Sequence, residues 1–468
     1  MGLKKLAFLV VLFCSIALNA KAQSIGFSLK QHDGANGRTF VFVHDDFTRV
    51  PVVEARITVA AYNEINSPSY VVLTDEFGVG EIPRLKDVLK AITVEKEGFQ
   101  KVSVVGVEQG ELSISLKRQP DNRTVVASGN VTGWPKRPNK SWVQVGLVFR
   151  SLSAFDLLSF DADSLISPLT DTVDVLGPRQ VPSNLVIPPQ DVYVFFSSFW
   201  IEKPLYRLPL QHSEPVRLAA VQGQVMVEDL MGLSNNNGQV SLEFLNKLKT
   251  TRVGLTDALF PTQDFRKDFN ADYQVSPYHK VLLTNPPFTS DLIVAAVTDV
   301  NGDRETLLPT DIKAGMTLEN QNLRTPVLSA PVTSFGKKDV VAIAVAPEGK
   351  RITGIIVDQA GKTVQPGPFA LVEERQSLNT VSTIDVRAPA SGFSTLVFET
   401  DYPVWTVFVL PAVGQVSVPT AAVDATVSRY SVSDFYFGAA FNEKSIDGTI
   451  LLKSLEKFTR ASARAVDQ

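Results

Sequence analysis

Short hydrophobic runs separated by turn residues organise the chain from about Phe40 onward. Within residues 40–118, β-branched and aromatic side chains recur at roughly regular spacing, in the runs FVFV, VVEARITVAAY, SYVVL, AITVEKEGF, KVSVVGV and ELSISLK. Leu112, Ile114 and Leu116 alternate with other residues, the period-two pattern of a strand with one buried face. Several short strands at this spacing predict a β-sandwich at 40–118, preceded by a polar lead-in at 23–39.

Prolines punctuate the next segment. Residues 119–225 contain strand-like runs such as WVQVGLVF and DVYVFFSSFWI, separated by the proline-bearing stretches WPKRPNK, VPSNLVIPPQ and EKPLYRLP. Because proline has no backbone N–H to donate to a ladder, it is confined to edge strands, strand starts and bulges. We therefore predict a second β domain at 119–225, with strands at sheet edges and long loops.

Aromatic side chains concentrate around Tyr193. The candidates for a stacking platform for sugars or peptides are Trp134, Trp142, Trp200, Trp405, Tyr193, Phe195, Phe196 and Phe199. Such rings bind with little conformational entropy to lose. Both faces of the strand predicted at 193–198 are largely apolar, however, which is typical of a strand buried on both sides. We therefore expect these aromatic residues in the core.

Two helices are predicted in the remaining chain. Leu242, Leu245 and Leu248, after a Ser241 cap, predict a helix near 241–250 inside a β domain at 226–345. The spacing of Leu451, Leu455 and Phe458 predicts a C-terminal helix in a β-sandwich at 346–468, although IDGTILLK also suits a final strand. The predicted fold class is mainly β: multi-domain, with tandem antiparallel β-sandwiches and one or two short helices.

The first 22 residues have the pattern of a cleavable secretory signal. A positively charged start precedes the apolar run Leu6–Leu18, and the small-x-small motif AKA at 20–22 follows it. We predict cleavage between Ala22 and Gln23. The run is shorter than the roughly 20 apolar residues that a membrane span needs, and no later stretch reaches that length, so we expect no transmembrane segment in the mature chain. The expected location is the periplasm, the outer-membrane surface or the extracellular space.

Composition removes several classes of function. Cys14 is the only cysteine and lies in the predicted signal, so the mature chain is expected to lack disulfides, cysteine-zinc sites and thiol nucleophiles. Loss of the lysines in the signal moves the formal net charge from −4 to about −7. A mildly acidic chain without a basic run argues against nucleic acid as a partner.

Three motifs within Val50–Lys117 resemble a known module. PVVEARITV enters a strand, TDEFGVGEI contains a Thr-Asp-x-x-Gly turn, and VEKEGFQKV joins a strand to a Gly-aromatic pair. In this order they resemble the carboxypeptidase regulatory-like domain, a transthyretin-type or immunoglobulin-like β-sandwich, at about 40–117. Asp75 is expected to bond backbone amides of the turn, and Gly78 to supply its positive φ. The preceding run FVFVHDDFTR lacks the family's usual glycine.

A degenerate second copy is predicted at about 350–415. There RITGIIVDQAGKTVQPGPFALV repeats a strand, an Asp358-x-x-Gly361 turn and another strand. The alternative is that Gly-turn-strand patterns recur in any β protein. The resemblance implies a non-catalytic role, because such modules usually accompany other domains as folding or attachment units.

Residues 299–305, DVNGDRE, are the candidate metal site. The oxygen ligands Asp299, Asn301, Asp303 and Glu305 alternate in the way that Ca²⁺ favours. The glycine stands at 302 rather than at the sixth position of a calcium loop, and no acidic residue follows at the twelfth. A hairpin with an Asn-Gly turn at 301–302 is therefore the competing interpretation.

Elsewhere the sequence shows no catalytic pattern. The four histidines lack the spacing of a zinc site, and HDD at 44–46 is expected to be a solvated turn. The SxxK at 454–457 lacks the SDN and KTG motifs that accompany it in serine acyl-transfer enzymes. The glycosylation sequons are Asn122, Asn130 and Asn139.

These patterns favour an exported, non-catalytic binding or structural protein of the cell envelope or surface, with a protein or polysaccharide partner. Two alternatives stay open. One is a secreted carbohydrate-active hydrolase whose paired carboxylates, about 5–10 Å apart, converge only in the folded chain. The other is a calcium-dependent adhesin.

Overall fold

The computed structural model of the chain describes residues 26–31, 37–65, 67–85, 89–119, 121, 123–151, 166–232, 244, 247–283, 291–298, 307–308, 327–331, 338–345, 352–357, 363–364, 383–390, 392–400, 403–419, 427, 429–437, 445–446 and 458–463. The predicted signal, with its Ala22–Gln23 cleavage site, lies outside these residues.

A β-sandwich forms the first part of the described chain. Its strands are β1 (Phe27–Lys30), β2 (Thr39–Asp45), β3 (Arg56–Ala61), β4 (Tyr70–Leu73), β5 (Val79–Ile82), β6 (Lys90–Glu95), β7 (Lys101–Val107) and β8 (Gly110–Leu116). One sheet has the order β1-β8-β2-β5, and the other has the order β4-β3-β6-β7. Alternate apolar residues of both sheets are buried between them, such as Val41 and Leu112 facing Ile57 and Val104. The predicted fold class, mainly β with antiparallel β-sandwiches, is confirmed.

The turn between β4 and β5 has the predicted geometry. Asp75 Oδ1 accepts hydrogen bonds from the backbone amides of Phe77 and Val79, both at 2.9 Å. Gly78 has a φ of 71°, and a Cβ there would lie 2.4 Å from the carbonyl oxygen of Val43. A side chain at this position would therefore push two strands apart, which is why the turn needs glycine.

A second unit follows, with a short helix. Its elements are β9 (Thr124–Thr132), β10 (Trp142–Arg150), β11 (Leu169–Asp174), β12 (Pro178–Pro182), β13 (Leu185–Val194), β14 (Ser197–Lys203), β15 (Leu205–Gln211), β16 (Leu218–Met226), α1 (Val227–Met231), β17 (Lys249–Leu255), β18 (Phe265–Arg266), β19 (Phe269–Asn270) and β20 (Tyr273–Leu283). Strands β14-β13-β10-β16-β17-β20 form a sheet that faces the β15-β9-β18 sheet across a core containing Tyr206 and Leu218. The larger sheet runs across position 225/226, where the sequence predicts a domain boundary.

The helix predicted near 241–250 falls largely outside the described residues. Phe244 and Lys247 are helical, and the Leu248 amide donates to the Phe244 carbonyl oxygen at 3.1 Å. Strand β17 begins at Lys249. Phe244 and Leu248 are buried on the outer face of the larger sheet, together with Val227 and Leu230 of α1.

The remaining elements are β21 (Asp291–Thr298), β22 (Leu307–Leu308), β23 (Val327–Pro331), β24 (Lys338–Val345), β25 (Ile352–Val357), β26 (Thr363–Val364), β27 (Thr383–Arg387), β28 (Gly392–Glu399), β29 (Pro403–Val409), a 3-10 turn at Pro411–Val413, β30 (Gln415–Pro419), β31 (Arg429–Phe437), β32 (Ser445–Ile446) and β33 (Phe458–Ala463). Residues 458–463 are a strand, so the predicted C-terminal helix is wrong at Phe458. Of IDGTILLK, the stretch that also suited a final strand, only Ile446 is described. Of the predicted second copy at about 350–415, strands β25 to β29 are described, and the Asp358–Gly361 turn is not.

The first sandwich and the C-terminal strands share a continuous sheet. Its order runs β22-β21-β24-β25-β33-β31-β28-β29-β7-β6-β3-β4, with β29 parallel to β7. Trp405 of β29 is buried, and its Nε1 donates to Ser103 Oγ of β7 at 2.9 Å. The Phe27 and Phe408 ring centroids lie 4.7 Å apart. Residues more than 300 positions apart therefore pack together on both faces of this sheet, with Phe27 and Phe408 in one cluster and Trp405 in another.

Specific contacts also join the first sandwich to the second unit. The buried Glu214 binds Arg150 through both carboxylate oxygens, at 2.6 and 2.8 Å. Lys117, at the end of β8, lies 3.6 Å from the same carboxylate. The rings of Phe47 and Phe260 meet edge to face across this junction, with centroids 5.4 Å apart. A paired buried charge and an aromatic contact both stabilise the junction.

Replacing Phe408 tests the shared sheet. Phe408→Ala removes a fully buried ring and is expected to lower the free energy of unfolding by about 3–5 kcal/mol. Urea unfolding of residues 23–468 measures this loss. Because Phe408 packs on Phe27, hydrogen exchange in β1 and β8 should also accelerate.

The matched control is Phe77→Ala, which truncates a half-exposed ring in a turn and should change stability by less than about 0.5 kcal/mol. Unchanged exchange in β1 and β8 of Phe408→Ala would show that the two regions fold independently.

Candidate functional site

The hairpin of β13 and β14 exposes a cluster of large aromatic side chains. Its two-residue turn is Phe195-Phe196, between the paired Val194 and Ser197. Phe196 is 91% exposed, Phe195 77%, Trp200 63% and Tyr193 43%. We name residues 190–201 the aromatic hairpin.

The expectation that these residues lie in the core is wrong for four of them. Val192, Val194 and Ile201 face inward and are buried, whereas Tyr193 and Trp200 lie on the opposite face. Phe195 and Phe196 leave the strand altogether. The apolar run is therefore a hairpin folded back on itself rather than one strand buried on both sides, and its turn lacks the Asn or Gly that usually marks such a turn.

The backbone of this turn is unusual. Phe195 and Phe196 have φ values of 44° and 70°. Positive φ at both central residues is the geometry of a tight hairpin turn that favours Asn-Gly, and bulky residues adopt it rarely. A strained turn that displays apolar rings to water is a feature that points to function.

The hairpin is fastened at its base by Gln190. Pro188 and Pro189 lack backbone donors, and the register of β13 against β14 shifts between Ile187 and Gln190. On the other side of β13, the buried Gln190 side chain contacts the backbone of β10. The Gln144 amide donates to Gln190 Oε1 at 3.0 Å, and Gln190 Nε2 donates to the Gln144 carbonyl oxygen at 2.9 Å. One side-chain amide thus replaces a missing rung of the β10–β13 ladder. The two prolines therefore occur in an interior strand rather than at the predicted sheet edge, because they lie at an irregularity in the ladder.

Asp191, the next residue toward the tip, makes a second set of contacts that hold the hairpin base. Asp191 forms ion pairs with Arg137 and Lys140, which lie on the segment before β10. Hydrogen bonds from Lys140 and then Arg137 hold the pKa of Asp191 below its ordinary value. The Tyr193 amide also donates to the Lys140 carbonyl oxygen at 2.9 Å. The base of the hairpin is therefore held by both strands and loop, while the tip is exposed.

The segment at His44–Asp46 differs from the solvated turn predicted for it. A turn is present at 46–48, but Asp45 is buried, where it accepts from the amides of Phe47 and Thr48 and from Arg118. Burial, and then the charge of Arg49, lowers the pKa of His44 to about 4.

His44 Nε2 lies 2.7 Å from Ser115 Oγ, the pairing of a base with a nucleophile. Arg49 Nη1 lies 3.1 Å from the same nitrogen, and Ser113 Oγ lies 3.5 Å from Nδ1. A catalytic triad needs a carboxylate on the second ring nitrogen. In this cluster the second ring nitrogen, Nδ1, faces the hydroxyl of Ser113 instead of a carboxylate. The hydrogen bonds of His44 therefore link strand β2 to strand β8.

The buried His212 has three polar neighbours on one ring nitrogen. Asp121 Oδ2 lies 2.6 Å from Nδ1, Ser213 Oγ 2.8 Å and Arg123 Nη2 3.1 Å. In a catalytic triad, the carboxylate and the nucleophilic hydroxyl bind opposite ring nitrogens of the histidine. Asp121 and Ser213 instead share Nδ1 of His212. This arrangement joins the start of β9 to the end of β15.

The candidate calcium ligands Asp299, Asn301, Asp303 and Glu305 lie outside the described residues, as do the SxxK motif and Asn122. Within the described ranges, no group of three or more His, Cys, Asp or Glu side chains could hold a metal ion. No helix among those residues is long and apolar enough to cross a membrane. Asn139 is exposed and accepts from the Ser141 amide.

No family model matches this chain, and no curated protein matches it. Solved structures give distant likenesses. The TIE protein of Bacillus anthracis shares 8% identity over 70% of this chain, which spans 50% of that protein, with a TM-score of 0.16. The major pilin subunit BcpA of Bacillus cereus shares 8% over 70% of this chain and 99% of its own, with a TM-score of 0.17. A putative carbohydrate binding protein from Bacteroides uniformis shares 10% over 47% and 98%, with a TM-score of 0.14. Superpositions this poor carry no argument about function.

Removing the Gln190 amide should loosen the hairpin. Gln190→Ala leaves the Gln144 amide and carbonyl without their partner, at a cost of about 1–3 kcal/mol. Hydrogen exchange of residues 190–201 should accelerate, and urea unfolding should report the loss. Gln180→Ala, at an exposed position of β12, is the matched control. Equal exchange rates in the two variants would contradict the role given to Gln190.

His44 should make the protein less stable in acid. The unfolded chain binds a proton at a pKa of 6.5, and the folded chain binds it only at about 4. The free energy of unfolding therefore falls as the pH drops from 6.5 to 4, by at most about 3 kcal/mol from this group. His44→Gln should show a shallower loss across this window in urea unfolding at stepped pH. Parallel curves for wild type and variant would contradict the assignment.

Proposed function

We propose that the chain is an exported, non-catalytic binding or structural protein of the cell envelope or surface, and that the aromatic hairpin is its contact element. The observation that carries the proposal is the exposure of Phe195 and Phe196 at a strained turn. Exposed apolar rings are costly in water, and contiguous exposed patches mark interaction sites. The cost is recovered when a partner covers the rings.

The fastened base supports a binding role. Gln190 and Asp191 limit the freedom of the hairpin before any partner arrives. A preorganised aromatic anchor loses little entropy on binding, so more of the interaction energy appears as affinity. This division between a rigid base and an exposed tip is expected of a contact element.

The first sandwich is proposed to be a carboxypeptidase regulatory-like module that serves as a folding and attachment unit. Its Asp75–Gly78 turn supports this resemblance. The junction through Glu214 would then hold the hairpin-bearing unit at a set orientation to it. Export is proposed to follow cleavage between Ala22 and Gln23, which N-terminal sequencing of the secreted chain tests.

The double variant Phe195→Asn with Phe196→Gly tests the contact element. Asn-Gly is the preferred pair for a turn with positive φ at both positions, so the hairpin should keep or gain stability while losing its rings. Retention of the mature chain on isolated envelopes of its host is expected to fall at least tenfold. The measurement is a sedimentation assay of purified protein with washed envelopes.

Phe77→Ser is the matched control, because it removes a half-exposed ring from a different turn. It should bind as the wild type does. Wild-type retention by the double variant, with melting behaviour unchanged, would overturn the proposed contact element.

A further inference from the structure

We infer that the tip of the aromatic hairpin inserts into the interface of a lipid bilayer, with an anionic leaflet as its preferred surface. This inference rests on the proposed function and names the partner of the same site. It is carried by the order of polarity along the hairpin and by the charges beside its base.

Polarity changes with distance from the tip. Phe195 and Phe196, which have no hydrogen-bonding side-chain atom, form the end of the hairpin. Tyr193, paired with Ser198, lies two residue pairs back, at about 7 Å for a rise of about 3.4 Å per residue. Trp200, paired with Asp191, lies four pairs back, at about 14 Å on the same scale. Apolar rings come first and rings with a polar atom follow.

This order matches the profile of a bilayer interface. An interfacial element buries its apolar part about 5–10 Å into the boundary between headgroups and acyl chains. The Phe rings would then reach the acyl chains, while Tyr193 and Trp200 would lie at headgroup level, where both residue types are enriched. Tyr193 and Trp200 occupy the same face of the hairpin, so one side of it presents both rings to the headgroups.

Basic groups surround the hairpin base. Lys136 and Lys140 are exposed, and Arg137 lies between them. Among the described residues, Asp191 forms ion pairs with Arg137 and Lys140, so the three cations exceed this one carboxylate at the hairpin base. Glu202 Oε2 accepts a hydrogen bond from Trp200 Nε1 at 3.4 Å, and the three cations still outnumber these two carboxylates. Lipid phosphates at this level would meet Lys and Arg side chains, which an anionic surface attracts.

The same features fit other partners less well. Sugar hydroxyls need hydrogen-bonding groups beside a stacking ring, and the two outermost rings of this hairpin carry none. Small-molecule and peptide sites are concave, whereas Phe195 and Phe196 project from a convex turn. An apolar fluid surface needs no complementary shape, because lipid chains adapt to the rings.

Flotation with vesicles tests the inference. Purified residues 23–468 are mixed with phosphatidylcholine vesicles, with or without about one third phosphatidylglycerol, and separated on a density gradient. The wild type is expected to float with the anionic vesicles, less with pure phosphatidylcholine, and less again at high salt. The Phe195→Asn, Phe196→Gly variant should float at least tenfold less, and Phe77→Ser should float as the wild type does.

Two further variants separate insertion from simple charge attraction. The Trp fluorescence of the wild type should shift to shorter wavelength on vesicles, and Trp200→Phe should lose most of that shift. Lys136→Gln should weaken the preference for phosphatidylglycerol without abolishing flotation. Flotation that depends on charge alone, with no wavelength shift, would contradict insertion.

The inference and the proposed function fail differently. Absence of wild-type flotation, or equal flotation of the double variant, overturns bilayer insertion. If envelope retention still requires Phe195 and Phe196 in that case, the hairpin is a contact element for a protein or polysaccharide. If neither vesicle flotation nor envelope retention depends on Phe195 and Phe196, both proposals are overturned.

Discussion

The parallel pairing of β7 with β29 is the constraint on which the fold depends. Without β29, β7 would be a sheet edge with unpaired backbone groups, and Phe27 would lose the ring of Phe408. The first sandwich is therefore completed by residues near the other end of the chain. Strands β27 and β30 cover the outer face of this shared sheet, where Val386 and Val416 pack against Phe398 and Val407. Such non-local pairing closes a long loop and is expected to form late in folding.

The second unit contacts the first sandwich through the Lys117–Glu214 ion pair and the Phe47–Phe260 ring contact. The aromatic hairpin lies at the edge of the larger sheet of this second unit. Two sets of contacts hold the hairpin base. The Gln190 side chain hydrogen-bonds to β10 beside Pro188 and Pro189, and the Asp191 ion pairs hold β13 against the segment before β10. Buried polar groups that are fully bonded specify one arrangement. The strained turn beyond them can then expose its rings without loosening the sheet.

Local chemistry explains what could be predicted from the sequence. Period-two alternation at Leu112, Ile114 and Leu116 and the Asp75–Gly78 turn depend on neighbouring residues, so the sandwich and its turn were predictable. Positive φ at Phe195 and Phe196 was not, because no Asn or Gly marks it and the surrounding residues are apolar on both faces. The β7–β29 pairing and the placement of prolines in β13 depend on distant partners, which local patterns do not identify.

Photo-crosslinking from the tip of the hairpin would identify what Phe196 contacts in the envelope. A benzophenone-bearing phenylalanine at position 196 keeps an aromatic ring at the most exposed site, and the same residue at position 77 is the control. After irradiation of the mature protein with native envelopes, mass spectrometry identifies adducts. We expect abundant adducts with an envelope component from position 196, lipid acyl chains foremost, and few from position 77. Equal, background-level adducts from both positions would contradict this expectation.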